Sequence, residues 1–168
     1  MTTDQKGKIA EVAVMLNAVK LGVDVYRPVG EGGQYDLILD LGSRLLRVQC
    51  KWAARYGNVV IIRCYSARRT AEGLVTRRYT TEEVDAFAAY SMDLDRCYLL
   101  PPELWANRRN VQLRLAPTLN NQARRVNWAE DFEFAARLRA LGAVAQLGER
   151  PAGSREVTGS IPVGSTLF

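Results

Sequence analysis

The first segment of the chain has the hydrophobic period of a helix. Over residues 4–20, apolar side chains recur at every third or fourth position, namely at Ile9, Val12, Ala13, Leu16 and Val19. Gly22 follows the last of them and is a typical helix end. We therefore predict a helix whose apolar stripe packs against the core. Lys8 and Glu11 fall off this stripe, so their side chains can face a neighbouring site.

The middle of the chain changes to the alternating or continuous apolar runs that are typical of strands. Short runs rich in Val, Ile, Leu and Tyr, bounded by Gly, Pro and polar residues, predict six strands. They are residues 23–26, 35–41, 44–52, 58–64, 96–100 and 111–115. The fourth, NVVIIRC, is apolar at successive positions, so we expect it to be buried inside the sheet. The sixth alternates, which predicts an edge strand.

Two more helices are predicted in the second half of the chain. Thr80 and Glu83 have the spacing of a capping box in front of residues 81–90. Asn127 is placed to cap a helix over residues 128–141, where apolar residues again follow a helical stripe.

The order of these elements predicts an α/β fold. We expect a single domain over residues 1–143, with a mixed central β-sheet flanked by α-helices. Residues 144–168 have no clear period and are rich in Gly, Ser and Pro, which indicates a flexible C-terminal tail outside the core.

Composition narrows the classes of protein. The 168 residues suffice for one domain with a core, and 48% hydrophobic and 24% charged residues are ordinary values. A formal net charge of +5 is compatible with a nucleic-acid partner but does not establish one. The chain has no His, which excludes HNH-type nucleases, His-ligated zinc sites and Ser-His-Asp triads. Cys50, Cys64 and Cys97 show no CxxC spacing, so neither a zinc knuckle nor a disulfide framework is indicated.

The hydrophobicity of the chain bears on membrane association and targeting. No apolar run approaches the length of a membrane span. The N-terminal segment is interrupted by Glu11 and Lys20, unlike the apolar region of a signal peptide. We therefore expect a soluble cytoplasmic protein with no membrane partner.

Residues 28–52, PVGEGGQYDLILDLGSRLLRVQCKW, contain the candidate chemistry. A Gly-rich loop leads into a strand that carries Asp36, and a tight turn then reverses the chain into a strand that ends in Gln49, Cys50 and Lys51. Because side chains alternate along a strand, Gln49 and Lys51 share one face and Cys50 points to the other.

These residue types are suited to phosphodiester hydrolysis. That reaction needs a hard divalent cation on oxygen ligands and a positive charge near the phosphate. Asp36 can supply a carboxylate and the main-chain carbonyl of Cys50 a second oxygen, while Lys51 can supply the charge. Gln49 can orient a water or the scissile phosphate. Each residue alone is more often structural, and only their occurrence together on one hairpin indicates a metal-dependent nuclease.

Four arginines follow in the polar stretch 65–79: Arg68, Arg69, Arg77 and Arg78. Arginine pairs in a loop commonly form a solvated surface. Two pairs that flank a candidate phosphate site are equally suited to the DNA backbone, so we treat the four as candidate DNA-binding residues.

Residues 30–52 resemble the core of the PD-(D/E)XK nucleases, in a version in which Gln replaces the second acidic residue. Within that superfamily they most closely resemble the branch that includes endonucleases encoded in group I introns. In this resemblance Asp36 matches the first acidic position of the motif, Gln49 the second and Lys51 the lysine.

The first helix extends the resemblance. KGKIAE, residues 6–11, is similar to the first-helix segment of this branch and of the archaeal Holliday-junction resolvases, where a glutamate completes the metal site. The resemblance thus implies that Glu11 is a catalytic residue and a metal ligand beside Asp36. Two positions depart from the family pattern. Tyr35 stands where Pro is usual, and the neutral Gln49 leaves the site one anionic ligand short.

The resemblance implies a restriction-endonuclease-like fold and a Mg²⁺-dependent DNA endonuclease that can use Mn²⁺ as a substitute. Within the branch named above, it implies a sequence-specific endonuclease of the homing type. Alternatives are a resolvase-like nuclease, a catalytically inactive DNA-binding module, or an α/β structural module in which these residues are incidental. One active centre cannot cut both strands of double-stranded DNA in one binding event. We therefore expect a homo-oligomer, a dimer or a tetramer, with its interface beyond Pro101.

The tail suggests a genomic context. Residues 145–150 can be encoded by GCTCAGCTGGGAGAGCGC, which is similar to a tRNA D-arm, and residues 159–162 by a sequence similar to a T-loop. The tail can thus be translated tRNA-gene sequence, and we expect a tRNA gene to be the DNA target.

Overall fold

Helices cover both faces of a mixed sheet. The computed structural model describes residues 1–30, 32–117 and 125–142. Within these ranges the chain forms one seven-stranded sheet and a separate two-stranded hairpin. The helices are α1 (Thr3–Lys20), α2 (Pro102–Trp105) and α3 (Phe134–Ala140), with a 3₁₀ turn at Ala129–Phe132. The strands are β1 (Asp24–Tyr26), β2 (Leu37–Asp40), β3 (Leu45–Tyr56), β4 (Val59–Arg63), β5 (Tyr65–Thr70), β6 (Gly73–Arg78), β7 (Ala86–Ser91), β8 (Arg96–Leu100) and β9 (Asn110–Arg114). The predicted α/β class is confirmed.

Strand β3 is the centre of the sheet because it pairs along both edges. One edge runs parallel to β7, with Lys51 beside Ala89. The other edge pairs antiparallel with β2 up to Val48 and with β4 from Ala53 onward. Between these two residues the described strands leave this edge of β3 open, so the sheet forks there.

The core consists of two clusters, one on each face of β7. Because side chains alternate along the strand, Ala86 and Ala88 lie in the first cluster and Phe87 and Ala89 in the second. The first cluster includes residues of α1 and α3. In the second, the Phe87 ring stacks on Trp105 of α2 with 4.5 Å between ring centroids. Strand β7 is therefore buried on both faces.

The helix predicted over residues 81–90 is wrong. The capping contact exists, since the main-chain N–H of Thr80 donates to the Glu83 carboxylate at 3.2 Å, but it closes only one turn. From Ala86 onward the chain is strand β7. Burial between the two clusters and the parallel pairing with β3 outweigh the local helix signal of this Ala-rich segment.

The helix predicted over residues 128–141 is broken in two. Ala129–Phe132 is a 3₁₀ turn, and α3 begins only after Glu133, whose backbone is extended at φ −57° and ψ 131°. Glu133 forms an isolated bridge with Tyr98 of β8, which explains its extended backbone. Asn127 therefore caps neither piece.

The predicted first helix is confirmed, but it buries a different face from the one expected. Its buried residues are Ala10, Val14 and Ala18, two of which are alanines. The stripe predicted to face the core points outward, with Val12, Leu16 and Val19 exposed by 57%, 51% and 61%. Small side chains on the inner face allow the helix to approach the sheet closely. The helical period was therefore correctly recognised, but the face of the helix that packs against the core was not.

The six predicted strands are confirmed with shifted ends. Strand β4 lies between β3 and β9, and β9 ends this path of the sheet, as expected. The arginine-rich stretch is the hairpin β5–β6, and α2 was not anticipated.

None of the helices in the described ranges has the length and apolarity that a membrane span requires. The expected tail, residues 144–168, lies outside the described residues.

Candidate active site

Asp36 lies at the fork of the sheet, directly before β2. Its main-chain N–H donates to the carbonyl oxygen of Val48 at 2.9 Å, which extends the β2–β3 ladder by one residue. Its carboxylate oxygen Oδ2 accepts a hydrogen bond from the main-chain N–H of Cys50 at 2.7 Å and another from the side-chain amide of Gln49. The open edge of β3 therefore fixes one carboxylate in the gap between two strands.

The surroundings of Asp36 shift the pKa of its carboxyl upward. Burial raises its pKa, and the Cys50 N–H, the charge of Lys51 and the Gln49 amide lower it only in part. The donors hold the carboxylate in place without offsetting its desolvation. A cation bound beside it would favour the ionised form.

Glu11 of α1 belongs to the same site. Its pKa is raised by burial and, next, by the negative charge of Asp36, so the two carboxylates are close enough to repel each other. Arg27 lowers that pKa in part, because its Nη2 lies 3.0 Å from Oε2 of Glu11. Sequence analysis missed Arg27. Only the pairing of β1 with β2 could have indicated it. This pairing puts Tyr26 opposite Ile38, so Arg27, the next residue, lies near the fork.

Lys51 is held on the opposite face of β3 from Cys50, as predicted. Its Nζ donates to the hydroxyl of Tyr79 at 3.0 Å and to the carbonyl oxygen of Tyr65 at 3.4 Å, and it lies 4.4 Å from the centroid of the Tyr79 ring. Burial lowers the pKa of Lys51 to about 8 and raises that of Tyr79 to about 12. Tyr79 was not singled out as a site residue from the sequence, since it is more than twenty positions from Lys51 and matches none of the catalytic positions of the motif.

Gln49 and Cys50 take part in different ways. Gln49 is buried, with 7% of its surface exposed, and its amide is fixed against Asp36. The thiol of Cys50 is packed in the first core cluster, and burial raises its pKa well above the usual value, so it carries no thiolate. The N–H and C=O of one strand residue point to the same edge. Because the Cys50 N–H reaches Asp36, its carbonyl oxygen faces the fork too.

The donor set fits a hard divalent cation. The Asp36 and Glu11 carboxylates and the Cys50 carbonyl are oxygen donors of the kind that Mg²⁺ takes, usually with one or two carboxylates and several waters. Among the described residues there is no group of three or more His, Cys, Asp or Glu side chains that could hold a metal. The site is thus one carboxylate poorer than a fully acidic one, as the neutral Gln49 led us to expect.

A cleft of about 590 Å³ opens beside Lys51. Its basic lining residues are Lys6, Lys51 and Arg63, and its aromatic ones are Trp52, Tyr56 and Tyr65. The Nζ of Lys6 lies 5.6 Å from the centroid of the Trp52 ring. Basic side chains bind phosphates and aromatic rings stack on bases or sugars, so the cleft has the composition of a nucleic-acid groove.

The four candidate arginines lie on the β5–β6 hairpin, which begins at Tyr65 and is directly followed by Tyr79, the two tyrosines that contact Lys51. Arg68 and Arg69 belong to β5, opposite Val75 and Leu74. On β6, Arg77 is paired with the carboxylate of Glu83. Arg78 is exposed and has no carboxylate partner in the described part of the chain. The hairpin therefore extends from the site, and Arg77 and Arg78 differ in how freely they can meet a phosphate.

The family of the chain follows from this geometry and from comparison with known proteins. A family model described as PD-(D/E)XK endonuclease matches residues 1–135. The chain therefore belongs to the PD-(D/E)XK endonuclease family, and its fold is restriction-endonuclease-like.

Solved structures add a particular relative. The structure of the bacterial homing endonuclease I-Ssp6803I is 25% identical in sequence, with a TM-score of 0.65, over 87% of this chain and 98% of that one. The crystal structure of MepB is 13% identical over 84% of this chain and 93% of that one, and its TM-score of 0.32 is too low to bear on fold or function. Comparison with curated proteins gives no match.

Proposed function

We propose that the protein is a Mg²⁺-dependent DNA endonuclease of the sequence-specific, homing type, for which Mn²⁺ can replace Mg²⁺. The observation that carries this proposal is the Asp36 carboxylate, which the Cys50 N–H holds at the fork beside Lys51. Glu11 of α1 is near enough that the charge of Asp36 raises its pKa. The similarity to a homing endonuclease over nearly all of that relative's chain supports the type.

Asp36, Glu11 and the carbonyl of Cys50 are the proposed cation ligands. Bound there, the cation would polarise the scissile phosphate and lower the pKa of a water. Asp36 is oriented for this role by the Cys50 N–H, and Glu11 is restrained by Arg27. Because the pKa of both carboxyls is raised, protons compete with the cation at low pH, and metal binding weakens as the pH falls.

Lys51 supplies the positive charge at the phosphate. An ammonium group has three N–H donors, and two are directed to Tyr79 and Tyr65, which leaves one for a phosphate oxygen. With a pKa of about 8, Lys51 is mostly protonated at pH 7. Gln49 donates one amide N–H to Asp36, so its second N–H and its carbonyl oxygen are the groups that can orient a phosphate oxygen or a water.

The DNA backbone is proposed to follow the cleft beside Lys51 and continue along the β5–β6 hairpin. Lys6 and Arg63 would meet phosphates next to the scissile one, with Trp52 and Tyr56 as apolar contacts. Arg68, Arg69 and Arg78 would meet phosphates farther out. A two-stranded ribbon of this kind also fits the major groove, where sequence is read.

A homo-oligomer, a dimer or a tetramer, is part of the proposal. Each chain offers one fork, and a double-strand break needs one centre per strand. Two-fold related chains would meet a site with matching symmetry.

The proposal is tested with purified protein, a linear duplex library, a four-way junction, and either Mg²⁺ or EDTA. Cuts limited to a few duplex sites, dependent on the metal, are the expected result. Cuts confined to the junction would replace the homing type with a resolvase. Tight binding without cuts under any metal would leave a DNA-binding module with an inactive centre.

A further inference from the structure

The outer face of α1 carries an apolar stripe that the described chain leaves uncovered. Val12, Leu16 and Val19 are each more than half exposed, while the same helix buries the smaller Ala10 and Ala18 against the sheet. Contact of three large aliphatic side chains with water is unfavourable relative to burial. Exposed apolar patches of this kind mark interaction surfaces.

The spacing of the stripe identifies the kind of surface. Ile9, Val12, Leu16 and Val19 are separated by three, four and three positions, which is the a–d repeat of a helix that packs against another helix. Helix α1 has 18 residues, or about 27 Å at 1.5 Å per residue, long enough for all four layers. A stripe of this kind offers no donor to a phosphate, so DNA does not match it.

Three of the four stripe residues line a groove of about 650 Å³, which Tyr90 and Asp95 border on the other side. The rim of this groove carries both signs of charge, with Lys8 and Lys20 on the helix and Asp95 across from them. A two-fold axis would place this apolar surface against the same surface of a second copy, because a two-fold interface joins the same patch of both chains. The mixed rim allows that approach without repulsion between like charges.

We propose that the outer face of α1 binds the same face of a second copy of this chain. The face is defined by Ile9, Val12, Leu16 and Val19 and by the groove beside them. The inference specifies the interface of the proposed homo-oligomer and moves it from the segment beyond Pro101 to the first helix. Glu11 lies on α1 outside this stripe, so each copy keeps its own Glu11 at its own fork.

Light scattering and sedimentation of the full chain, without DNA or metal, test the proposal. The unaltered protein should form dimers or a multiple of them over a concentration series. Leu16→Glu should raise the dissociation constant at least about 100-fold, since two buried leucines are lost per interface. Leu16→Ala, which preserves helix propensity, should raise it about 10-fold. Val29→Glu, which alters a fully exposed apolar residue in a loop, should have no effect.

Circular dichroism shows whether each variant is folded, and the milder Leu16→Ala decides the question if Leu16→Glu is not. An unaltered protein that stays monomeric at every concentration overturns the proposal. So does an assembly that both Leu16 variants leave intact. Because no DNA is present, a protein that dimerises through α1 but never cuts contradicts only the nuclease function, and a monomer that cuts contradicts only the interface.

Discussion

The ammonium group of Lys51 donates a 3.0 Å hydrogen bond to the hydroxyl of Tyr79 and lies 4.4 Å from the centroid of the same ring. A tyrosine that matches none of the catalytic positions of the motif thus orients the lysine of the motif. Burial lowers the pKa of this lysine to about 8, so its protonation changes just above neutral pH. The position and the charge of Lys51 both depend on its surroundings.

Removal of the Tyr79 hydroxyl should change the pH dependence of cleavage. The cationic form of Lys51 loses an acceptor in Tyr79→Phe, so its pKa should fall below about 8. Cleavage that needs the cation declines as pH rises through this pKa. The decline should therefore begin at a lower pH in the variant, measured as single-turnover rates over a pH series.

Tyr65→Phe is the matched control, because Lys51 contacts the main-chain carbonyl of Tyr65 and not its hydroxyl. Its profile should coincide with that of the unaltered protein. If the decline in Tyr79→Phe were unchanged or moved to higher pH, Lys51 would not be the cation at the phosphate.

Gln49→Glu should change the metal dependence of activity. Gln49 lies against Asp36 at the fork, so the substitution brings a third carboxylate to a site that has two. Half-maximal activity should then occur at a lower Mg²⁺ concentration, because a hard anionic ligand is added. A lower maximal rate at all Mg²⁺ concentrations would instead assign Gln49 to substrate orientation, and an unchanged titration would remove it from the site.

The two arginines at the end of β6 should contribute differently to DNA binding. Arg77 is already paired with Glu83, whereas Arg78 is exposed. In Arg78→Ala the slope of log affinity against log salt should become shallower by about one, as for one lost phosphate contact. Arg77→Ala should change it less, since Glu83 offsets that charge. Equal changes in this slope for both variants would show that DNA displaces Glu83 from Arg77.

The sequence was sufficient to place those candidate site residues that lie close together along the chain. Asp36, Gln49 and Lys51 are joined by one short hairpin, so alternation and a turn place them together without knowledge of the rest. Glu11 came from the resemblance and not from spacing. Arg27 and Tyr79 could not be found, because each reaches the site through a strand pairing that no local pattern specifies.

The errors in the fold have a common physical cause. Strand β7 was read as a helix because a segment buried on both faces has no polar alternation to reveal a strand. Helix α1 is apolar on two faces, so its larger residues were assigned to the core although the smaller ones occupy it. In both cases the deciding factor was which neighbour covers a face, and that is a property of the assembled sheet.

The DNA target is expected to be a tRNA gene. Residues 145–150 and 159–162 can be encoded by sequences similar to a D-arm and a T-loop. The coding DNA should spell these arms, and the protein should cut the uninterrupted tRNA gene in preference to a shuffled sequence of equal length. A chain that ends at Leu141 should cut it equally well. If the codons do not match a D-arm and a T-loop, there is no reason to expect a tRNA gene as the target.

Cleavage by an Asp36→Asn variant tests most directly whether the fork is a nuclease centre. The substitution keeps an oxygen that can accept from the Cys50 N–H but removes the charge that a cation needs. With Mg²⁺, its cleavage rate should fall at least about 1,000-fold, as should that of Lys51→Ala, while duplex affinity stays within a few-fold because most phosphate contacts remain. Asp24→Asn, at an exposed carboxylate on β1, should cut normally. An Asp36→Asn protein that cuts within about 10-fold of the unaltered chain would contradict the assignment of the active site.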